Sequence, residues 1–179
     1  VRPAAWSNRV RGVTFVGSVG RHHKSRTLAL LRAFDEAGVD LHIFSPTPEA
    51  FFRRHGLQHR YQGKAFGNKM LEILATTKIA LNRHARFAGE MVLNLRCFEA
   101  TGMGAALLTE RTIASEQAFG KEGALLYESP SDAVRMVVES FQDESRLRRI
   151  AQRGRSITLE KFSLKSQCAE ILRKIGSTR

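Results

Sequence analysis

Apolar residues recur along this chain in two alternating rhythms. Short apolar runs stand at residues 12–16, with Val13, Phe15 and Val16, and again at 39–44, 78–82, 105–109 and 123–127. Runs of that length, bounded by glycine or polar residues, fit strands buried on both faces. Between them the apolar positions are spaced as on one face of a helix. Residues 25–37 carry Leu28, Leu31 and Phe34 and meet Gly38 where a helix-ending glycine belongs. Residues 48–56 and 68–77 read as helices, the second with Met70, Leu71, Leu74 and Ala75 inward, and residues 57–64 as a short strand with a turn at Gly63. Helices follow at 94–102, with Leu95, Phe98 and Gly102 on one face, at 115–119, and from Ser129-Pro130 through Ala133, Val137 and Phe141. Residues 143–161 form another on Leu147, Ile150, Ala151 and Ile157, and 163–175 a last one that buries Leu164, Cys168, Ile171, Leu172 and Ile175.

Strand and helix thus alternate about six times, which predicts an α/β fold: a doubly wound, Rossmann-like parallel sheet of about six strands with helices on both faces. Residues 12–44 make a βαβ unit whose crossover should be right-handed. Residues 1–11 contain Pro3 and three arginines, with little to bury except Trp6, and read as a linker or arm. The domain is then 12–175, and 176–179 a tail.

Composition narrows the function classes. With 42% apolar and 26% charged residues, the chain suits a globular protein rather than a disordered one. No apolar run approaches the ~18 residues of a membrane span, and residues 1–12 lack the apolar segment of a secretory signal. Cys97 and Cys168 fit no metal or redox spacing and read as buried small residues in a reducing, cytoplasmic compartment. The first residue is Val, which suits a piece of a longer chain. A net charge of +12 and a pI of about 10.6 favour anionic partners: nucleotide phosphates, nucleic acid, an acidic membrane surface or an acidic glycan. The arginines of 143–161 lack the interleaved aromatic residues that stack bases, so they read as a solvated face and nucleic acid is disfavoured.

Candidate chemistry concentrates in three places. Asn94 is a good N-cap, and the helix start it opens is a natural anion site with Arg96 beside it. Glu99, about a turn further in, could take two neighbouring hydroxyls; the plainer reading is a surface ion pair between Arg96 and Glu99. The loop after the first strand carries Gly17, Ser18, Arg21 and Lys24, which suit a phosphate. It has neither the dinucleotide glycine spacing nor a P-loop lysine, and it could equally be an ordinary solvated turn. His84 follows the strand at 78–82, at the edge where open α/β sheets bind ligands, and could donate to a phosphate or a sugar hydroxyl or simply be solvated.

The string from Asn94 to Thr109, N-L-R-x-F-E-A-x-G-x-G-A-x-L-L-T, resembles the signature helix and strand of the C-terminal, donor-nucleotide-binding domain of GT-B glycosyltransferases. It is most similar to the CgeB-like branch of the group 1 glycosyltransferase-like proteins. Leu81 to His84 match the L-N-x-H of that pattern, and the likeness extends over roughly residues 12–175. It implies a strand order of 3-2-1-4-5-6. It also implies that Glu99 binds the ribose, that Gly17, Ser18, Arg21, Lys24, His84, Asn94, Leu95 and Arg96 line the donor diphosphate, and that Tyr61, Gly63 and Lys64 lie by the nucleobase. The implied function is a donor domain that holds a nucleotide-diphosphate sugar for transfer to a glycan, protein or lipid acceptor. No metal or other cofactor is expected. The catalytic residues are expected in a partner N-terminal domain, without which this chain should turn over little. The alternative is a non-catalytic basic Rossmann-like module that binds nucleic acid or a regulatory nucleotide.

Overall fold

The computed structural model of the chain describes residues 1–19, 24–84, 91 and 93–176. The elements are β1 (Arg11–Val16), α1 (Lys24–Glu36), β2 (Leu41–Phe44), α2 (Glu49–Arg54), α3 (Gly67–Ala75), β3 (Thr77–Leu81), α4 (Leu95–Gly102), β4 (Ala106–Glu110), α5 (Ile113–Gly123), β5 (Leu125–Tyr127), α6 (Pro130–Gln142), α7 (Glu144–Lys161) and α8 (Leu164–Gly176). Five strands form one parallel sheet in the order β2-β1-β3-β4-β5. Val13 lies between Leu41 and Ile79, and Ile79 pairs onward with Ala106.

The sheet has one strand fewer than the alternation suggests. In the expected third strand only Tyr61 pairs, through a single parallel bridge to Ile43 on the outer side of β2. The reason is local: residues Gln58–Arg60 take a 3-10 turn just before it, and Gly63 turns the chain away at φ +91°. The bridge nonetheless stands where the expected 3-2-1-4-5-6 order would put that strand.

Alternate strand residues feed two cores. Val13, Phe15, Ile43, Ile79, Leu81 and Leu108 pack against α1, α2, α6 and the first half of α7. Val16, Phe44, Ala80, Leu107 and Leu126 pack against α3, α4 and α5. The long helix α7 serves both: Leu147, Ile150 and Ala151 join the first core and Ile157 the second. It can pass this close because Gly154 has no side chain. A Cβ there would stand 2.5 Å from the Gly123 carbonyl oxygen and 3.2 Å from Thr101 Cγ2. Beside it Thr101 and Thr158 share a buried hydroxyl hydrogen bond of 2.6 Å.

The expectation that the first residues bury little except Trp6 is corrected by Arg9, which is only 6% exposed. Its Nη1 donates to the Leu74 and Thr77 carbonyls at 3.3 and 2.6 Å, and its Nη2 to the Met103 carbonyl at 2.9 Å. Leu74 is in the last turn of α3 and Met103 is the C-cap of α4, so one guanidinium sits at the negative ends of two helix dipoles.

Two further readings are corrected. Cys97 is buried as expected, but Cys168 is exposed. The apolar stripe of α8 is also exposed, with Leu164 at 81% and Leu172 at 69%. The periodicity of that stripe is real, yet no described element covers it.

Gly154→Ala should lower the unfolding free energy by about 1–3 kcal/mol, because a methyl group pressed on backbone must force α7 from α5. Urea titration followed by circular dichroism measures it; an unchanged midpoint would mean the helices do not pack this closely.

Candidate functional site

Helix α1 returns the chain to β2 on one side of β1, while β3 lies on the other. The carboxyl ends of β1 and β3 therefore flank the point where strand order reverses, and a parallel sheet opens a crevice there. Three segments meet at it: Gly17 and Ser18 after β1, Asn82 to His84 after β3, and the start of α4.

Arg96 ties the helix to the strand end. Its Nε donates to the Val16 carbonyl at 3.2 Å and its Nη1 to Glu99 Oε2 at 2.7 Å, with the Met70 sulfur against the same nitrogen. Burial pulls the Arg96 guanidinium below its ordinary pKa, and Glu99 opposes that shift. The expected surface ion pair thus exists, but it spans the crevice floor rather than an outer helix face. Both members keep part of their side chains open, 21% for Arg96 and 32% for Glu99.

Asn94 occupies the N-cap position in extended conformation, but its side chain caps nothing. Instead its Nδ2 donates to the Arg83 carbonyl at 2.9 Å, binding the β3 loop to α4. The helix start therefore has no side-chain cap among the described residues, which leaves its positive end for a ligand. Leu95, expected on the inward face, is 76% exposed at this opening.

Gly17 continues the ladder by donating to the Phe44 carbonyl at 3.1 Å, and Ser18 after it is exposed. Lys24 is the first residue of α1, and Arg21 lies outside the described residues. Past the end of β2, Tyr61 donates its hydroxyl to the Ser45 carbonyl at 3.2 Å, and the Gly63 carbonyl accepts from Ser45 N–H at 2.8 Å. Lys64 is exposed next to them. The candidate residues that are described therefore share the carboxyl edge of the sheet.

One constellation joins the L-N-x-H segment to β4. Asn82 Nδ2 donates to Thr109 Oγ1 at 3.0 Å. The Thr109 hydroxyl and His84 Nε2 lie 3.1 Å apart and share a hydrogen bond whose direction follows the His84 tautomer. The other ring nitrogen, Nδ1, is buried and has no partner among the described residues. His84 N–H donates to Glu110 Oε2 at 3.2 Å, and Glu110 Oε1 pairs with Arg83 at 2.8 Å. Burial lowers the His84 pKa, Glu110 raises it and Arg83 lowers it, with a net fall. His84 is therefore a buried imidazole, held towards its neutral form, rather than a solvated loop residue. The signals in the sequence are the L-N-x-H string and Thr109, a polar residue in a run otherwise apolar.

A family model described as Glycosyl transferase-like matches residues 23–173. The chain belongs to this glycosyl transferase-like family. Its fold is that of GT-B glycosyltransferase C-terminal domains. The sucrose-phosphate synthase of Thermosynechococcus elongatus is 12% identical and superposes with a TM-score of 0.70 over 99% of this chain and 50% of that one. HepE of Anabaena, solved with UDP and glucose, is 13% identical with a TM-score of 0.72 over 96% of this chain and 49% of its own. The C-terminal domain of LpcC, a group 1 family glycosyl transferase of Francisella tularensis, is 15% identical with a TM-score of 0.64, covering 91% and 96%. No match was found among curated proteins. The chain thus spans about half the length of the synthase and of HepE.

In a glycosyltransferase domain this edge offers a fixed cation, an uncapped helix start and a carboxylate, with a buried imidazole beside them. Among the described residues no three of His, Cys, Asp and Glu converge as metal ligands.

The His84 shift has a consequence for stability. Its folded pKa lies below the unfolded value, so the unfolded chain takes up the proton first as pH falls. Its contribution is complete above the unfolded pKa of about 6.5 and is lost as pH drops towards the folded one. Wild type should lose more stability between pH 7 and 5 than His84→Gln, which cannot titrate. Urea midpoints at the two pH values test this, and equal losses would mean His84 is not held neutral.

Proposed function

We propose that this domain holds the nucleotide-diphosphate sugar from which a glycosyltransferase of the CgeB-like branch transfers its sugar. The observation that carries the reading is Arg96, fixed between the Val16 carbonyl and Glu99 at the uncapped start of α4. In this reading the diphosphate lies between Gly17, Ser18, Arg21 and Lys24 on one side and Asn94, Leu95 and Arg96 on the other. His84 lies beside the diphosphate, and Glu99 turns from Arg96 to the ribose hydroxyls. The base rests near Tyr61, Gly63 and Lys64. The cations and the helix dipole then stabilise the charge that builds on the leaving diphosphate, which is the catalytic contribution of this half. The UDP in the HepE structure supports this donor class.

The acceptor and the base that activates it belong in this reading to a second domain, and the half-length match to the synthase and HepE supports one. The uncovered stripe of Leu164, Ile171, Leu172 and Ile175 on α8 is the surface on which such a domain would pack. The enzyme would work in the cytoplasm, where sugar nucleotides are made. No described helix is long and apolar enough to cross a membrane.

Calorimetry with UDP, GDP, ADP and TDP should show weak binding of at least one, since half of a two-sided cleft makes half the contacts. None of the four binding at millimolar concentration would sink the reading.

Glu99→Gln should cost roughly 1–3 kcal/mol of nucleotide binding, the worth of charge-assisted bonds to hydroxyls. Wild type should prefer a ribonucleotide to its 2′,3′-dideoxy form, and the substitution should narrow that gap. If instead it only lowers the melting temperature and leaves binding alone, Glu99 is the structural partner of Arg96 and nothing more.

A further inference from the structure

At the opposite, amino end of the sheet a second charged site is built. A cavity of about 590 Å³ lies between the N-terminal segment, Gly104 and α7. Arg2, Arg9, Arg148 and Arg155 line it together with Trp6, and its lining contains no acidic residue. Arg148 and Arg155 stand two turns apart on one face of α7. Arg9 fills the floor, with its guanidinium 5.4 Å from the Trp6 ring centre. Gly104, at φ +75°, allows this packing: a Cβ there would stand 2.8 Å from Arg9 Nη2 and 3.7 Å from Arg155 Cδ.

The charges here are not balanced by acids. Many arginines elsewhere have carboxylate partners, such as Arg60 with Asp35 and Arg83 with Glu110. Among the described residues none of these four is in an ion pair. Arg9 and Arg155 reach only carbonyl oxygens. Glu144, which the Trp6 indole N–H reaches at 3.2 Å, is held by Lys78 at 2.6 Å. Burial and the neighbouring Arg155 press the Arg9 pKa down to about 10, so it remains charged at neutral pH. Four guanidinium groups around one hollow repel one another unless an anion enters it.

We propose that this cavity binds a small multivalent oxyanion, a phosphate ester or diphosphate, clasped by Arg2, Arg148 and Arg155 over the fixed charge of Arg9. Guanidinium forks match phosphate oxygens in pairs, and several forks suit a ligand with several charges. The volume is that of a small-molecule site. A nucleic acid strand would need an extended track with several stacking rings, and Trp6 is the one tryptophan of the chain.

That same tryptophan gives the readout. Titration with pyrophosphate at low salt should change Trp6 emission saturably, where sodium chloride at equal ionic strength does not. Arg148→Gln should weaken the titration about tenfold, as expected when one charge-assisted hydrogen-bonding partner of the anion is removed. Arg149→Gln, next to it on α7 but outside the cavity, should change it less than about twofold. Calorimetry on the same proteins reads the binding if the emission is insensitive. Absence of saturable binding by both methods overturns the proposal. So does an Arg149→Gln effect as large as that of Arg148→Gln, which would mean diffuse attraction to a basic helix. Loss of binding in Arg96→Gln would place the anion at the carboxyl edge instead.

Discussion

The position of α4 decides what this domain can hold, and cations grip that helix at both ends. At its C-terminus Arg9 takes the Met103 carbonyl and Arg155 the Gly102 carbonyl. Near its N-terminus Arg96 reaches across to the end of β1. Between them Ala100 and Cys97 are fully buried against the sheet. Each grip satisfies carbonyls that a helix or strand end would otherwise leave bare, and such groups are costly to bury unpaired. The helix therefore presents its first turn to the crevice as a rigid wall. Only a wall fixed in this way can direct its dipole at a phosphate without spending binding energy on ordering itself.

Most of this was legible where one residue type dictates one environment. Buried strands read as apolar runs because both faces of a parallel sheet are covered, and Gly102 and Gly104 marked the stop between helix and strand. The pairing of Arg96 with Glu99 followed from helical spacing. Three features were not legible, each for its own reason. Arg9 sits among proline and polar residues, and its partners are carbonyls, which have no signature in a sequence. His84 owes its burial to partners distant in sequence, Thr109 and Glu110 at the end of β4. The stripe on α8 shows that a face wants cover, but periodicity does not say which surface provides it.

The net charge of +12 also resolves into parts. Some of it is cancelled in pairs on helix surfaces, such as Arg135 with Asp132 and Glu139, where exposure keeps each pair worth little. Some of it, at Arg9 and Arg96, is structural. The arginines of α7, read from the sequence as one solvated face, are divided: Arg155 holds α4 and so is partly structural, while Arg148 lines the cavity and belongs to neither class. Leu147, Ile150 and Ala151 of the same helix enter the core as their spacing predicts.

The Arg9 grip bears on how the chain comes off the ribosome. Its acceptors are at Leu74, Thr77 and Met103, and β1 lies between β2 and a β3 that is made some 65 residues later. A nascent chain that has exposed β1, α1 and β2 has one flank of its central strand still unpaired, and the guanidinium still in water. The first βαβ unit must wait, with apolar Val13 and Phe15 half covered, until β3, α6 and α7 have emerged. Closure then joins distant segments at once, as slow-folding parallel topologies do. β1 therefore stands with one flank open during synthesis, although its residues are among the most deeply buried once this sheet is complete.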